Sequence, residues 1–410
     1  MNIKTTLLAV ICVVISVSSD FAQEKVEDPV TWDANWSNGF MLNSSDGNFK
    51  LKFGGRIMLD FLYISPDSYF DTIITFNKGV EFRRLRFYNS GLIYNNISYK
   101  LQFDFANGHA TLKDAFINLS NIPVAGNILI GHFKEPIGLE LLNSSNNITF
   151  MERALTDPLT PERNTGIMLF NDIKSGRMTW ALGYFLPSNF SGFGLYSGNK
   201  FNLSGRITGV PYYDAEDGFK LLHIGLSLTH RDHDNSAYTI SSRPETHLAP
   251  KLILAEIDVA RAVNQYGLEV VYVNGPFSAQ GEFLSATALT AAESTLQNDS
   301  YNFNAYYGYI SWFITGEHRN YKLSSGAFDR VKPKNNFGSE SGTGAFEVGI
   351  RYSLIDLEDT DVTGGTMSDI TLGLNWYLNP ATRFMFNYVL TDVRDKGKIN
   401  GYEFRFQVNF

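Results

Sequence analysis

The stretch Leu51-Lys52-Phe53-Gly54-Gly55-Arg56-Ile57-Met58-Leu59-Asp60-Phe61-Leu62-Tyr63 decides the fold. Its odd positions are Leu51, Phe53, Gly55, Ile57, Leu59, Phe61 and Tyr63, and its even positions include Lys52, Gly54, Arg56, Met58 and Asp60. A period of two is that of a β-strand, and this strand has one face for hydrocarbon and one for water. The same alternation returns in Tyr99–Phe105, where Tyr99, Leu101, Phe103 and Phe105 are set against Lys100, Gln102 and Asp104. Met178, Trp180, Leu182 and Tyr184 alternate with Thr179, Ala181 and Gly183, and Phe346, Val348, Ile350 and Tyr352 with Glu347, Gly349 and Arg351. The chain ends on another such strand, with Tyr402, Phe404, Phe406, Val408 and Phe410 against Glu403, Arg405, Gln407 and Asn409. No helix-period segment of comparable strength interrupts the series. Many long amphipathic strands call for closure, because in lipid every backbone amide must be paired and a closed barrel leaves no edge.

Composition agrees. Aromatic residues are 14% of the chain and phenylalanine alone numbers 32, which is heavy for a soluble enzyme but natural for strands that face lipid. The N-terminus reads as an export signal: Lys4 begins it, Leu7 to Val17 is almost purely apolar, and small residues follow at Ser16, Ser18 and Ser19. The apolar run is too short to span a bilayer as a helix. The expected division is a signal peptide over 1–19, with cleavage after Ala22 as the alternative, an N-terminal periplasmic segment over 20–48 and a transmembrane barrel over 49–410. Cys12, the single cysteine, leaves with the signal, so the mature chain has no thiolate metal site and no internal disulfide.

About sixteen strands are predicted, an even number within the range for single-chain barrels. They begin near 49, 80, 96, 112, 127, 165, 176, 199, 219, 265, 278, 301, 344, 368, 381 and 401. With both termini periplasmic, the segments 64–79, 134–164 and 231–264 are long external loops, whereas Asn95-Asn96, Asn274-Gly275-Pro276 and Asn379-Pro380 mark tight turns. One connection breaks the pattern: 314–343 is periplasmic by parity yet spans about thirty residues.

Several blocks resemble the phosphate-selective porin O and P family. They are Leu112-Lys113-Asp114-Ala115-Phe116-Ile117, Gly131-His132-Phe133-Lys134-Glu135-Pro136-Ile137-Gly138-Leu139-Glu140, Ile148-Thr149-Phe150-Met151-Glu152-Arg153, Pro161-Glu162-Arg163-Asn164-Thr165-Gly166, Tyr266-Gly267-Leu268-Glu269, Leu372-Gly373-Leu374-Asn375-Trp376-Tyr377-Leu378-Asn379-Pro380 and Arg383-Phe384-Met385. The resemblance runs over residues 50 to 410. It implies a sixteen-stranded trimeric porin of the Gram-negative outer membrane, inserted by the barrel-assembly machinery and surrounded by outer-membrane lipid. It also implies that two external loops and one periplasmic segment narrow the lumen, here 134–164, 231–264 and 314–343. Arginines would line the pore, and lysines near the constriction would contact small anions, phosphate or polyphosphate among them.

An anion filter needs fixed positive charge in a narrow passage, because the ion must recover there what it loses on dehydration. The water-facing parity of the first three strands supplies Lys52, Arg56, Arg84, Arg86 and Lys100, and later strands add Arg177, Arg206, Arg351 and Arg405. The segment 314–343 offers Arg319, Lys322, Arg330, Lys332 and Lys334 against Glu317, Asp329 and Glu340, and is the expected anion contact. The constriction candidates in 134–164 are Lys134, Arg153 and Arg163. They share it with Glu135, Glu140, Glu152, Asp157 and Glu162, and an acidic loop would repel a divalent anion.

Three other classes compete. A general, non-selective porin would keep the scaffold and lack the filter. A barrel hydrolase needs a nucleophile beside a base, and no Gly-x-Ser-x-Gly elbow is present. A structural barrel predicts a plugged lumen, against which the polar interior argues. His230, Asp232, His233, Asp234 and His247 read better as a solvated external loop than as a metal site. There is no phosphate-binding glycine motif, no cofactor signature and no basic nucleic-acid patch.

Overall fold

The computed structural model describes residues 30–410 apart from Lys174, Ser197, Asp217 and Glu340. The expected export signal lies outside the described residues. Twenty strands follow in chain order: β1 (Trp32–Trp36), β2 (Phe40–Ser44), β3 (Lys50–Pro66), β4 (Lys78–Ile93), β5 (Ile97–Asp104), β6 (Thr111–Ile122), β7 (Gly126–Lys134), β8 (Arg163–Ile173), β9 (Met178–Leu186), β10 (Asn202–Asp214), β11 (Lys220–Ser242), β12 (Ile253–Asn274), β13 (Phe277–Thr290), β14 (Ser300–Phe313), β15 (Tyr321–Lys322), β16 (Ala327–Phe328), β17 (Ala345–Asp359), β18 (Val362–Asn379), β19 (Thr382–Val393) and β20 (Gly397–Asn409). Each of β3 to β14 and β17 to β20 pairs antiparallel with its neighbours, and β20 returns to β3 from Ile399↔Pro66 to Asn409↔Arg56, closing a sixteen-stranded barrel.

The period of two sorts these strands as the sequence requires. Even residues of β3 such as Met58, Leu62 and Ile64 are buried inside, while Phe61 and Tyr63 are exposed outside. The outward row continues through Leu226, Leu268, Ile310, Ile350, Leu372 and Phe404, all exposed. So much contiguous exposed apolar surface is a lipid-facing wall. Among the described residues no helix is long and apolar enough to cross a membrane.

Closure depends on a glycine at the seam. Phe410 donates its N–H to the Gly55 carbonyl at 3.0 Å. A Cβ on Gly55 would stand 2.6 Å from the Phe410 ring and 2.5 Å from the Arg86 carbonyl oxygen. Gly55→Val is therefore expected to cost about 1–3 kcal/mol by overpacking at the seam. The check is the fraction of chain that keeps the compact, heat-modifiable mobility of a folded barrel on gels.

The expected strand starts match within six residues for all but one strand. The exception corrects the assignment of 231–264 as a long loop: β11 runs on to Ser242, β12 starts at Ile253, and only 243–252 connects them. Two causes hid these strands. Asp234 and Asn235 take positive φ at a break in the ladder between Asp232 and Ser236, so the segment carries loop-like residues. On β12 the inward positions Ile253, Ala255 and Ile257 are apolar, because they face packed protein rather than water.

That packed protein fills one side of the lumen. Ile137, Leu141, Leu155 and Leu159 of the infolded segment 134–164 join Tyr238, Ile240, Ile257, Phe303 and Ile355 of the wall in one apolar cluster. The segment 314–343 also folds inward through the small β15–β16 hairpin, where Tyr321 packs edge-on against Phe328 and donates to His223 Nδ1 at 2.6 Å. The external connection 187–201 turns inward too, its Phe190 carbonyl accepting from Leu112 N at 2.9 Å.

Candidate functional site

Long inward-facing arginines on one half of the barrel anchor the infolded segments. Arg351 on β17 reaches Glu140 at 3.0 Å and Glu245 at 2.5 Å, and donates to the Glu152 carbonyl at 2.9 Å. It also lies over the Phe150 ring at 4.4 Å. Arg383 on β19 donates to the Ile148 carbonyl at 2.9 Å, and Asn375 on β18 to that of Thr149 at 2.8 Å. Arg405 on β20 pairs with Asp60 at 2.6 Å and Glu152 at 2.8 Å. Glu282 on β13 accepts the backbone N–H groups of Leu139 and Glu140 at the start of the helical turn Leu139–Leu142. Arg206 on β10 grips Glu269 at 2.6 Å and the Gly326 carbonyl at 3.0 Å, fixing the segment 314–343. Bidentate and multiply bonded guanidinium groups hold such segments far more rigidly than solvated ion pairs do.

On the other half, beside β3 to β7, the lumen stays open. A cavity of about 880 Å³ is lined there by eleven lysines and arginines against five carboxylates. Seven of the expected residues converge on it: Arg56, Arg84, Arg86, Lys100, Lys134, Arg153 and Arg163. Lys52, Arg319, Lys322, Arg330, Lys332 and Lys334 do not line it. Lys52 instead donates to the Ser37 carbonyl at 2.8 Å. Arg319 is buried, with its guanidinium 3.4 Å from the Phe328 ring centroid and bonded to Gln280 at 3.0 Å. Arg330 donates to the Pro380 carbonyl at 3.3 Å, and Lys322, Lys332 and Lys334 are exposed.

Four lining cations escaped the sequence reading. Arg83 and Lys113 each occupy a bulge, between the pairs Met58↔Arg84 and Leu59↔Phe82 and between Gln102↔Asp114 and Phe103↔Leu112. An extra residue re-aims its side chain, so simple alternation assigns it to the wrong face. Arg243 and Lys251 come from the connection 243–252, whose tip turns back over the cavity.

The charges do not cancel. Asp104 pairs with Arg86 at 2.7 Å, and Asp114 holds both Lys100 at 2.6 Å and Arg163 at 2.9 Å. Glu152 holds Arg83 at 2.8 Å as well as Arg405. Burial alone would raise the Glu152 carboxyl, but Arg83, Arg84 and Arg405 outweigh it and keep it well below the usual range. Arg84 reaches the same Glu152 only at 3.8 Å, and Arg56 is bonded to Ser145 at 2.7 Å with its Nε unpartnered. Lys113 pairs with no carboxylate among the described residues, its ammonium lying 5.5 Å from the Phe190 ring centroid. Two carboxylates of 134–164 are turned away from the passage: Glu135 is fully buried among Asn164, Asn202 and Ser204, and Glu140 is held by Arg351, whereas Glu152, Asp157 and Glu162 line the cavity.

The histidine-rich stretch does not converge. His230 bonds Asn264 at 2.8 Å, His233 packs on the Tyr238 ring at 5.0 Å, and His247 meets Glu81 at 2.8 Å. No group of three metal-ligating side chains occurs among the described residues.

A family profile described as Phosphate-selective porin O and P matches residues 51–410. Porin O of Pseudomonas aeruginosa is 27% identical over 390 residues, covering 86% of this chain and 85% of the relative. Among solved structures, the anion-selective porin from Comamonas acidovorans superposes with a TM-score of 0.53 at 12% identity, over 88% of this chain and 100% of that one. OmpT of Vibrio cholerae in its trimer form gives 0.54 at 9% identity, over 88% and 99%. The structural likenesses establish the fold. With the profile spanning the whole barrel, the chain belongs to the phosphate-selective porin O and P family and is an outer-membrane porin.

Proposed function

We propose that this porin passes small inorganic anions passively, phosphate among them, and that it selects them at the basic cavity beside β3 to β7. The carrying observation is the surplus of cationic side chains over carboxylates around an open passage, with Arg84 only loosely paired to a carboxylate that Arg83 and Arg405 share, and with Arg56 and Lys113 bonded to none. The names of the family and of the Comamonas relative point the same way. The trimer form of the Vibrio relative supports an assembly of three copies. In this reading the chain is exported by its signal peptide, inserted by the assembly machinery and conducts without a catalytic step.

The test is reversal potential across a planar bilayer under a potassium chloride gradient. Chloride is expected to outweigh potassium, and added phosphate to reduce the chloride current. Equal permeability without block would leave a general porin, and a silent folded protein would leave a structural barrel.

The exposed Lys322, Lys332 and Lys334 of the segment 314–343 fit an approach role, concentrating anions ahead of the cavity. Their joint replacement by glutamate should move selectivity toward cations, by less than cavity substitutions do and with strong dependence on ionic strength. Reversal potentials at low and high salt check this.

A further inference from the structure

The hairpin β1–β2 lies outside the closed ladder, and its pairing places it on the barrel wall. Phe40↔Phe53 and Leu42↔Leu51 join β2 to the first residues of β3, just beyond the point where β20 leaves that edge. Trp36↔Phe40 and Ala34↔Leu42 then carry the same face onto β1. Because side chains alternate across a sheet, Trp32, Ala34 and Trp36 share a face with Phe40, Leu42, Leu51 and Phe53. Phe53 and Phe87 are outward residues of the lipid-facing wall, with rings 6.2 Å apart. The hairpin therefore extends that wall past the end of the barrel.

What it adds is aromatic and uncovered. Trp32 is 53% and Trp36 65% exposed, and Phe40 is also exposed. Trp32 contacts Phe49 at 6.5 Å, and Phe49 meets the exposed Tyr94 at 5.0 Å. The opposite face carries Asp33, Asn35 and Asn43. The turn is tied down by Lys52 to the Ser37 carbonyl at 2.8 Å and by Tyr88 to that of Asn38 at 3.3 Å. Tryptophan and tyrosine collect at the boundary between acyl chains and headgroups, where the ring is apolar and the N–H or O–H stays wet.

We infer that the β1–β2 hairpin is an interfacial anchor, its Trp32–Trp36–Phe40 face inserted among the headgroups and first acyl carbons of the leaflet at this end of the barrel. The occupant is glycerophospholipid, on the ground that the face is continuous with the lipid-facing wall. The inference stands apart from selectivity, since neither tryptophan lines the cavity.

The chain has five tryptophans, so Trp180→Phe, Trp312→Phe and Trp376→Phe together leave only Trp32 and Trp36 as emitters. The folded barrel is reconstituted in vesicles whose phosphatidylcholine carries bromine either near the headgroup end of the acyl chains or near their methyl end. The emission is expected to lose roughly half its intensity with the shallow label, little with the deep one and little with aqueous iodide. Strong iodide quenching without lipid quenching would overturn the inference in favour of a solvated hairpin. Protection from all three quenchers would overturn it in favour of contact between copies of the chain. Should the triple variant fold poorly, the difference in quenching between the unaltered barrel and Trp32→Phe/Trp36→Phe gives the same decision.

Discussion

Replacing Arg56 and Arg84 by glutamine and Lys113, Arg243 and Lys251 by glutamate will invert the charge preference of the channel. The set leaves six cationic side chains facing eight carboxylates around the cavity, where eleven faced five. A unit charge roughly 8 Å from the ion at an effective dielectric of about 20 contributes about 2 kcal/mol before screening, and mobile salt reduces this to about half. Each charge removed should thus change each permeability by roughly fivefold, downward for chloride and upward for potassium, and the set should change their ratio by more than a hundredfold even with partial compensation. The chosen residues avoid the Arg86–Asp104, Lys100–Asp114 and Arg163–Asp114 pairs, so no carboxylate of those pairs loses its partner. Reversal potentials of the variant, with gel mobility to show a folded barrel, provide the check. An unchanged ratio would remove the cavity from the filter.

Arg351→Ala should open the pore. Its guanidinium is fully buried and ties Glu140 of one infolded segment to Glu245 of another. Glu245 is further bonded by Ser353 and Thr371 at 2.5 Å, so without the arginine two carboxylates remain buried with no cation against them. Stranding buried charge in this way costs about 3–5 kcal/mol. The expected release is a loosening of 134–164 around Glu140 and of 243–252 around Glu245 from β17, while Arg383, Arg405 and Asn375 keep their bonds to 148–152 and the barrel ladder stays intact. Single-channel conductance is expected to rise severalfold with added noise, and solutes too large for the unaltered channel should enter swelling proteoliposomes. Arg351→Lys will not restore the closed form, because one ammonium cannot bridge Glu140, Glu245 and the Glu152 carbonyl together. Adding Glu140→Gln and Glu245→Gln to Arg351→Leu should recover part of the stability, since both stranded charges are then gone.

The barrel was legible because β3, β5, β17 and β20 each show water one face and lipid the other. Legibility failed where that contrast fails. The β12 residues Ile253, Ala255 and Ile257 face packed protein, so polar and apolar positions no longer alternate. The same limit explains the site. Arg56, Arg84 and Arg86 follow from parity on regular strands, whereas Arg83 and Lys113 sit at bulges that parity cannot foresee. Nor does sequence separate an anchoring arginine from a conducting one. Arg351 and Arg56 have the same strand parity, and the difference lies in Glu140, which reaches Arg351 across 211 residues of chain. The acidity of 134–164 misleads in part for a related reason: its carboxylates count against anions only if they face the passage, and Glu135 and Glu140 face the wall while Glu152, Asp157 and Glu162 line the cavity among a larger number of cations.

In the proposed reading ions cross through the cavity beside β3 to β7. Cys12 is the single cysteine and falls in the expected signal peptide, so Lys113→Cys would carry the mature barrel's one thiol. The decisive measurement is the current through Lys113→Cys channels in a bilayer before and after a bulky thiol-reactive reagent, with Lys332→Cys treated in parallel. The reagent is expected to remove most of the current at position 113 and little at 332. A current that persists through fully labelled Lys113→Cys channels would contradict that reading, because the ions would then be crossing elsewhere.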